Sequence, residues 1–426
     1  MEGKSEQDRR KGASAVSADP ERRVGRRFVV LYTLAYMGTC LVLIAPITVT
    51  LALKVNSLVG TERAPDSLAL VVGVGALMAM VGTPFFGRLS DRTSSRWGMR
   101  RPWMVTGLVA GSAGVLVVAV APNIPVVLLG WCVAQLFLNA LLAAQLAVLP
   151  DQVPPVQRGL VAGVLGICVP VAAVGATFLV KLFTGNQLAM FLMPCAVGGF
   201  FVVVFAATLD DRRLARADRP AWSVREFART FYVNPRRNPD FAWAFASRFL
   251  LVLAYAFLTT YQVYYLLEHL GSAEDDVPQQ VFLATLAQSS VVVAASLISG
   301  RLSDRVGRRK IFVLAAAAVY SVAMLVVAAA SDFDGFLLGV ALSGLGFGVY
   351  FAIDLALVAD VLPDKDSAAK DLGVFNFAGA VPFTVAPALA PAILAVGGGS
   401  YALLFVVAAA CAALGAVAIV PVRGVR

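Results

Sequence analysis

The sequence predicts an all-α integral membrane protein: twelve transmembrane helices in two pseudo-symmetric six-helix bundles, with both chain ends cytoplasmic. Three observations carry this. Of 426 residues, 59% are hydrophobic and only 14% are charged, more apolar surface than a soluble domain can bury. Apolar runs of about 20 residues, the length at which a helix crosses about 30 Å of hydrocarbon, recur along the whole chain. Finally, Gly-Arg-Leu-Ser-Asp-Arg occurs at Gly87 to Arg92 and again at Gly300 to Arg305, while Val-Leu-Pro-Asp occurs at Val148 to Asp151 and at Val361 to Asp364. Both pairs are 213 residues apart, half the chain length, so the second half reads as a duplicate of the first.

The spans follow in order. The first, 28–53, succeeds a polar, basic tail over 1–27, expected to be disordered, and is too long for a cleaved signal peptide. The second, 67–87, runs into the first hexapeptide, and Pro102 opens the third, 103–121. The fourth, 124–149, ends at the first Val-Leu-Pro-Asp; the fifth is 159–180 and the sixth 188–209. Residues 210–240 form a cytoplasmic linker in which Trp222, Phe227 and Phe231 punctuate a basic segment. It is read either as a short helix on the inner leaflet or as an irregular tether. The second bundle, 241–421, repeats the scheme with spans at 241–267, 279–300, 311–330, 334–361, 373–396 and 400–421, and 422–426 is the C-terminal tail. Helices satisfy every backbone group internally, as lipid requires; a barrel would alternate every second residue.

Charge sets the orientation. The tail before Phe28 holds eight Lys and Arg, the 88–102 loop five, the linker eight and the 301–310 loop five, against Lys54, Arg63 and Lys181 on the other side. Cations stay cytoplasmic during insertion, so both termini are expected inside, in a plasma or inner cell membrane. The net charge of +9 is then a topology signal and a contact with anionic lipid, and no nucleic-acid partner follows from it. The five cysteines, Cys40, Cys132, Cys168, Cys195 and Cys411, fall in apolar spans without paired spacing, so neither a disulfide framework nor a metal site is expected. His269, the one histidine, reads as a solvated residue at a helix end. No cofactor or obligate protein partner is implied.

The repeated loops carry the next step. Asp91 and Asp304 are acids among arginines where a helix enters a tight turn. The first copy continues through Arg92, Arg96, Gly98, Arg100, Arg101 and Pro102; the second is the shorter Asp304-Arg305-Val306-Gly307-Arg308-Arg309-Lys310. Glycine supplies the turn. This pattern resembles the major facilitator superfamily, whose loop signature between helices 2 and 3, repeated between helices 8 and 9, reads Gly-x-Leu-Ser/Ala-Asp-Arg-x-Gly-Arg-Arg/Lys. The extended first copy is similar to the glycoside, pentoside and hexuronide cation symporters and the related sucrose transporters. The resemblance implies the major facilitator fold, with helices 1, 4, 7 and 10 lining a central cavity and the two bundles rocking about it. It also implies that Gly87, Asp91, Arg92, Arg96, Gly98, Arg100, Arg101 and their counterparts Gly300, Asp304, Arg305, Gly307, Arg308 and Arg309 form gates that latch the cytoplasmic side. The alternative is that these residues only stop helices and set topology.

Ionisable groups inside the spans point to function, because a charge in hydrocarbon is costly unless paired or hydrated. Asp354 stands about seven residues from the inner end of the tenth span, with Arg248 at similar depth in the seventh. They are expected to face one cavity as an ion pair that substrate or a proton breaks; otherwise Arg248 snorkels near Trp243 and Asp354 bonds a neighbouring helix. Tyr32 and Tyr36, Gln135 and Asn139, and Tyr261, Gln262 and Asn376 are candidate substrate contacts, with helix-to-helix bonding as the alternative. Tyr264 and Tyr265 read as interface anchors. Gly344, Gly346 and Gly348 precede Asp354, and Pro382, Pro387 and Pro391 interrupt the eleventh span.

The six spans of the first half hold no acid, unlike the cation symporters it resembles. Proton coupling through Asp354 or uncoupled diffusion therefore fits better than sodium coupling. The leading function is secondary transport of a small polar solute, a sugar or glycoside foremost, by proton symport. Proton-coupled export of amphipathic compounds is the alternative within that class. A membrane enzyme would need clustered catalytic groups that the sequence lacks, and a transporter-derived sensor or scaffold would usually append a soluble domain.

Overall fold

The computed structural model describes residues 23–214, 238–306, 309–361, 375 and 377–422, with side chains at all of these except 304 and 355–361. The first 22 residues and the linker's aromatic residues lie outside the described residues. Among the described residues twelve helices are long and apolar enough to cross a membrane. We number them α1 (Arg26–Val59), α2 (Ala64–Asp91), α3 (Arg101–Val120), α4 (Ile124–Gln152), α5 (Pro155–Leu182), α6 (Gln187–Thr208), α7 (Pro239–His269), α8 (Val277–Val306), α9 (Arg309–Ala329), α10 (Phe333–Val361), α11 (Pro382–Val396) and α12 (Tyr401–Ile419). An even number of crossings returns the chain to the face where it began. We call that face the terminal face.

Local chemistry sets the boundaries. Prolines stand in the first turns of α3, α4, α5 and α7, where their missing N–H costs nothing. The side chains of Asn123 and Asn186 accept the Val126 and Ala189 amides at the starts of α4 and α6, both at 3.1 Å. Glycines set the closest packing: α1 meets α6 where a Cβ on Gly38 would stand 2.7 Å from the Gly198 carbonyl oxygen. In the second half Gly344 and Gly348 press α10 against Gln288 and Val292 of α8, and Gly346 presses it against Ala316 and Tyr320 of α9. Packing alone accounts for those three.

Three expectations are corrected. Lys54 lies inside α1 rather than in a loop, because α1 continues through a π turn at Pro46–Thr50 to Val59. Its buried ammonium donates to the Ala119 carbonyl at the end of α3 (3.0 Å) and to Gln187 Oε1 (3.1 Å). A cation at a helix C-terminus is favourable. Tyr264 and Tyr265 are fully covered rather than lipid-facing; the Tyr265 hydroxyl donates to carbonyls at the end of α9, Ala330's at 3.1 Å. Finally, of the three prolines only Pro382 marks an interruption, at the turn on Val381, and α11 runs unbroken through Pro387 and Pro391.

The bundles join along two seams, α5 on α8 and α2 on α11. In the first, Phe178 packs on Phe282 (ring centroids 5.5 Å apart) and the Lys181 ammonium sits 4.9 Å from the same ring. At the face opposite the termini, the Tyr264 hydroxyl of α7 donates to the Ala52 carbonyl of α1 at 3.2 Å and stands 3.5 Å from the Ala64 carbonyl oxygen of α2.

Candidate functional site

The loop after α2 is built around Arg100. Its guanidinium bonds Asp91 at 2.7 Å, Asp151 at 2.8 Å and Ser90 Oγ at 2.8 Å, joining the first hexapeptide to the first Val-Leu-Pro-Asp. Burial opposes the charge on Arg100, yet Asp151 and then Asp91 hold its guanidinium above the ordinary value. Asp211, just past α6, accepts the backbone amides of Arg100 (2.7 Å) and Arg101 (2.8 Å). Burial pushes the Asp211 carboxyl up, against those amides. Gly98, at φ +103°, admits this acid: a Cβ there would stand 2.2 Å from an Asp211 oxygen. Arg101 Nη2 donates to the Ala207 carbonyl at 3.3 Å, and Arg96 is exposed. Asp91 is half exposed and pairs within its own bundle.

In the second copy the Asp304 side chain, Gly307 and Arg308 lie outside the described residues. Arg305 is exposed, Arg309 is partly buried at the start of α9, and Lys310 donates to the Val420 and Val422 carbonyls beyond α12, the latter at 3.0 Å. Gly87 and Gly300 share one property. Among the described residues, no atom outside the glycine's own stretch of helix lies within 4 Å of where a Cβ would stand at either.

In the second bundle, α7 and α10 bring Arg248 and Asp354 into direct contact, Nη1 donating to Oδ2. The pair is enclosed, with 15% of the Arg248 side chain and 7% of the Asp354 side chain exposed. Tyr350 stands one turn before Asp354 on the same helix and is buried. The Arg248 guanidinium lies 4.9 Å from the centre of the Phe375 ring, and Phe241 and Phe245 abut that ring edge-on. Farther along α7, Tyr255 stacks on Phe347 at 4.4 Å, with Phe383 edge-on at 6.2 Å. A guanidinium and a carboxylate so placed can exchange partners with a solute or a proton, and neither can leave the other without compensation.

The first bundle supplies neutral groups. Asn139 donates to the Gln135 carbonyl and to Gln135 Oε1 at 2.8 and 3.0 Å, and Thr83 of α2 donates to Asn139 Oδ1 at 3.1 Å. Tyr36 is partly buried beside Cys40, Gln262 is buried, and Asn376 lies outside the described residues. Tyr32 and Tyr261 stand apart from these. Tyr32 is covered, stacked on Phe205 at 5.3 Å, with its hydroxyl on the Gln145 carbonyl at 2.8 Å. Tyr261 is equally covered and donates to the Pro387 carbonyl at 3.4 Å. Both are joints between helices, because ring and hydroxyl are already taken. The structure adds Thr83, Tyr255, Tyr350, Phe375 and Gly379 to the site, the last because its backbone abuts Arg248, where a Cβ would stand 3.2 Å from Nη2. None carries a charge, so only their neighbours mark them.

Three comparisons bear on this architecture. The family described as Major Facilitator Superfamily matches residues 28–285 and again residues 263–425. A protein of Synechocystis sp. named as an uncharacterized symporter is 46% identical over 46 residues, a stretch that covers 11% of this chain and 8% of that relative. Among solved structures, the nucleoside transporter NupG superposes with a TM-score of 0.71 at 13% identity, covering 92% of this chain and 98% of that one. A D-xylose-proton symporter gives 0.70 at 12%, covering 93% and 98%. An inward-facing, unoccupied bacterial homologue of the human lysosomal transporter Spinster gives 0.65 at 13%, covering 92% and 93%. With both halves matched by the family and twelve spanning helices in place, the chain belongs to the major facilitator superfamily of membrane transporters.

Proposed function

We propose that the protein is a secondary active transporter that moves a small polar solute, a sugar or glycoside foremost, by proton-coupled symport through alternating access. The termini lie on the cytoplasmic side of a cell membrane. The observation that carries this is the enclosed Arg248–Asp354 pair, since a protonatable acid whose partner is a fixed cation ties proton uptake to rearrangement of the cavity wall. Gln135, Asn139 and Thr83 offer donors and acceptors to hydroxyl groups, while Tyr255, Phe347 and Phe383 offer aromatic faces. The structures it resembles include a nucleoside transporter and a D-xylose-proton symporter, both carriers of polyhydroxylated solutes. The short stretch shared with a symporter from Synechocystis supports the same branch.

Tyr264 joins α7 to α1 at the face opposite the termini, and among the described residues no neighbouring helix crowds the Cβ positions of Gly87 and Gly300 at the terminal face. This arrangement fits a carrier open toward the terminal face, with Asp91 withdrawn onto Arg100 instead of latching the bundles. Purified protein in liposomes tests the reading: an inward proton gradient is expected to drive accumulation of a polar solute from a panel of sugars and glycosides. Asp354→Asn should abolish accumulation. Accumulation by the Asn variant that still follows the pH gradient would defeat the proposal.

A further inference from the structure

The order of crossings puts the ends of α1 and α5 and the starts of α6 and α8 together on the face opposite the termini, above the α5 and α8 seam. A cavity of about 170 Å³ lies there between the bundles; about 150 Å³ is enough for a benzene-sized molecule. Met190 and Phe191 of α6 and Pro278 of α8, all buried, give it an apolar lining. Glu274 and Asp275, from the turn between α7 and α8, also line it. Both are exposed, and among the described residues neither is in an ion pair. The sixth group is Thr50 of α1, which is 1% exposed and whose Oγ1 has no hydrogen-bond partner. Thr48, in the same π turn, returns its hydroxyl to the Ile44 carbonyl at 2.9 Å in the ordinary way. A buried hydroxyl left without a partner is costly, and this one stands on the wall of a cavity with two unpaired carboxylates.

We infer that this cavity is a second binding site, separate from the Arg248 and Asp354 pair, and that it takes a small organic ammonium ion with an apolar body. Glu274 and Asp275 supply the counter-charge, the Thr50 hydroxyl offers an acceptor to an ammonium N–H, and Met190, Phe191 and Pro278 cover the hydrocarbon. A hard metal cation asks for six or more oxygen ligands, which a lining half made of hydrocarbon does not supply. The two lysines of this region are already engaged: Lys54 donates to the Ala119 carbonyl and Gln187, and Lys181 sits over the Phe282 ring. Thr50, Met190 and Phe191 belong to the first bundle, whereas Glu274, Asp275 and Pro278 belong to the second. A ligand that touches both binds best while the bundles meet at this face, and its differential affinity favours the state open toward the terminal face. The site is therefore a brake, worked from the face opposite the termini and leaving the central cavity free.

The test uses the full-length protein in lipid nanodiscs with benzylamine, beside neutral benzyl alcohol and anionic benzoate of the same size. Benzylamine is expected to protect against thermal unfolding at a concentration tenfold or more below benzyl alcohol, and benzoate not to protect. Glu274→Gln combined with Asp275→Asn, both at exposed loop positions, should remove that preference. Thr50→Val should weaken benzylamine roughly fivefold, the loss of one hydrogen bond. With benzylamine bound, a single cysteine placed on the face opposite the termini should alkylate more slowly, and one on the terminal face faster, in a chain otherwise free of cysteine. No protection by benzylamine, equal protection by benzyl alcohol, or stronger protection by calcium chloride than by benzylamine overturns the inference. So does a preference that survives in the double loop variant, an affinity unchanged in Thr50→Val, or faster alkylation on the face opposite the termini. None of these measurements depends on the transported solute, so their failure leaves the symporter reading standing.

Discussion

Removing Asp354 leaves the Arg248 guanidinium enclosed beside Phe375 with no counter-charge among the described residues. Breaking a buried pair from one side costs roughly 3 kcal/mol, whereas replacing both partners with apolar groups is near neutral. Asp354→Ala is therefore expected to lower the thermal unfolding midpoint in detergent, and Arg248→Met with Asp354→Leu to recover most of the loss while transport stays absent. Additive losses in the double variant would show that the two charges are solvated separately. At this scale the sequence was informative where a residue is anomalous. An acid and an arginine inside apolar spans stand out on solvation cost alone. Gly379 and Phe375 do not, because a glycine or a phenylalanine in a membrane helix is ordinary until folding sets it against a guanidinium.

Among the elements, α11 shows how a proline creates a need that another helix meets. Pro391 has no N–H, so the Pro387 carbonyl one turn earlier lacks its helical donor, and the Tyr261 hydroxyl of α7 reaches it at 3.4 Å. Tyr261→Phe is expected to cost about 1 kcal/mol in the native chain and close to nothing in a Pro391→Ala background, where the amide returns. A double-mutant cycle read by thermal unfolding checks this, and equal costs in both backgrounds would mean that the Tyr261 hydroxyl does not compensate for the missing Pro391 amide. All twelve spans were legible because hydropathy over about 20 residues reports solvent directly. Their internal irregularities were not. Lys54 reads as a loop residue because a cation ends an apolar run, but the Ala119 carbonyl and Gln187 receive it inside the bundle. Tyr264 and Tyr265 read as interfacial by residue type, but the carbonyls of α1 and α9 cover them.

For the molecule as a whole, duplication places one motif at equivalent positions of two bundles, and the structure holds the bundles together at the face opposite the termini. Among the described residues nothing from another helix approaches the Cβ positions of Gly87 and Gly300, so a larger side chain there should obstruct chiefly an arrangement that closes the terminal face. Gly87→Leu and Gly300→Leu are therefore expected to fold normally and to hold the carrier open toward that face. Tyr264→Phe removes the hydroxyl that joins α7 to α1, worth about 1 kcal/mol or a fivefold change in the balance between states, and shifts it the other way. Alkylation rates of single cysteines placed on each face, in a background with Cys40, Cys132, Cys168, Cys195 and Cys411 replaced, read both effects. The leucine variants should label faster from the terminal face and slower from the opposite one, with the phenylalanine variant reversed. Because any two-state carrier trades exposure on one face for exposure on the other, a variant that raised or lowered labelling on both faces together would contradict alternating access itself, whatever its solute.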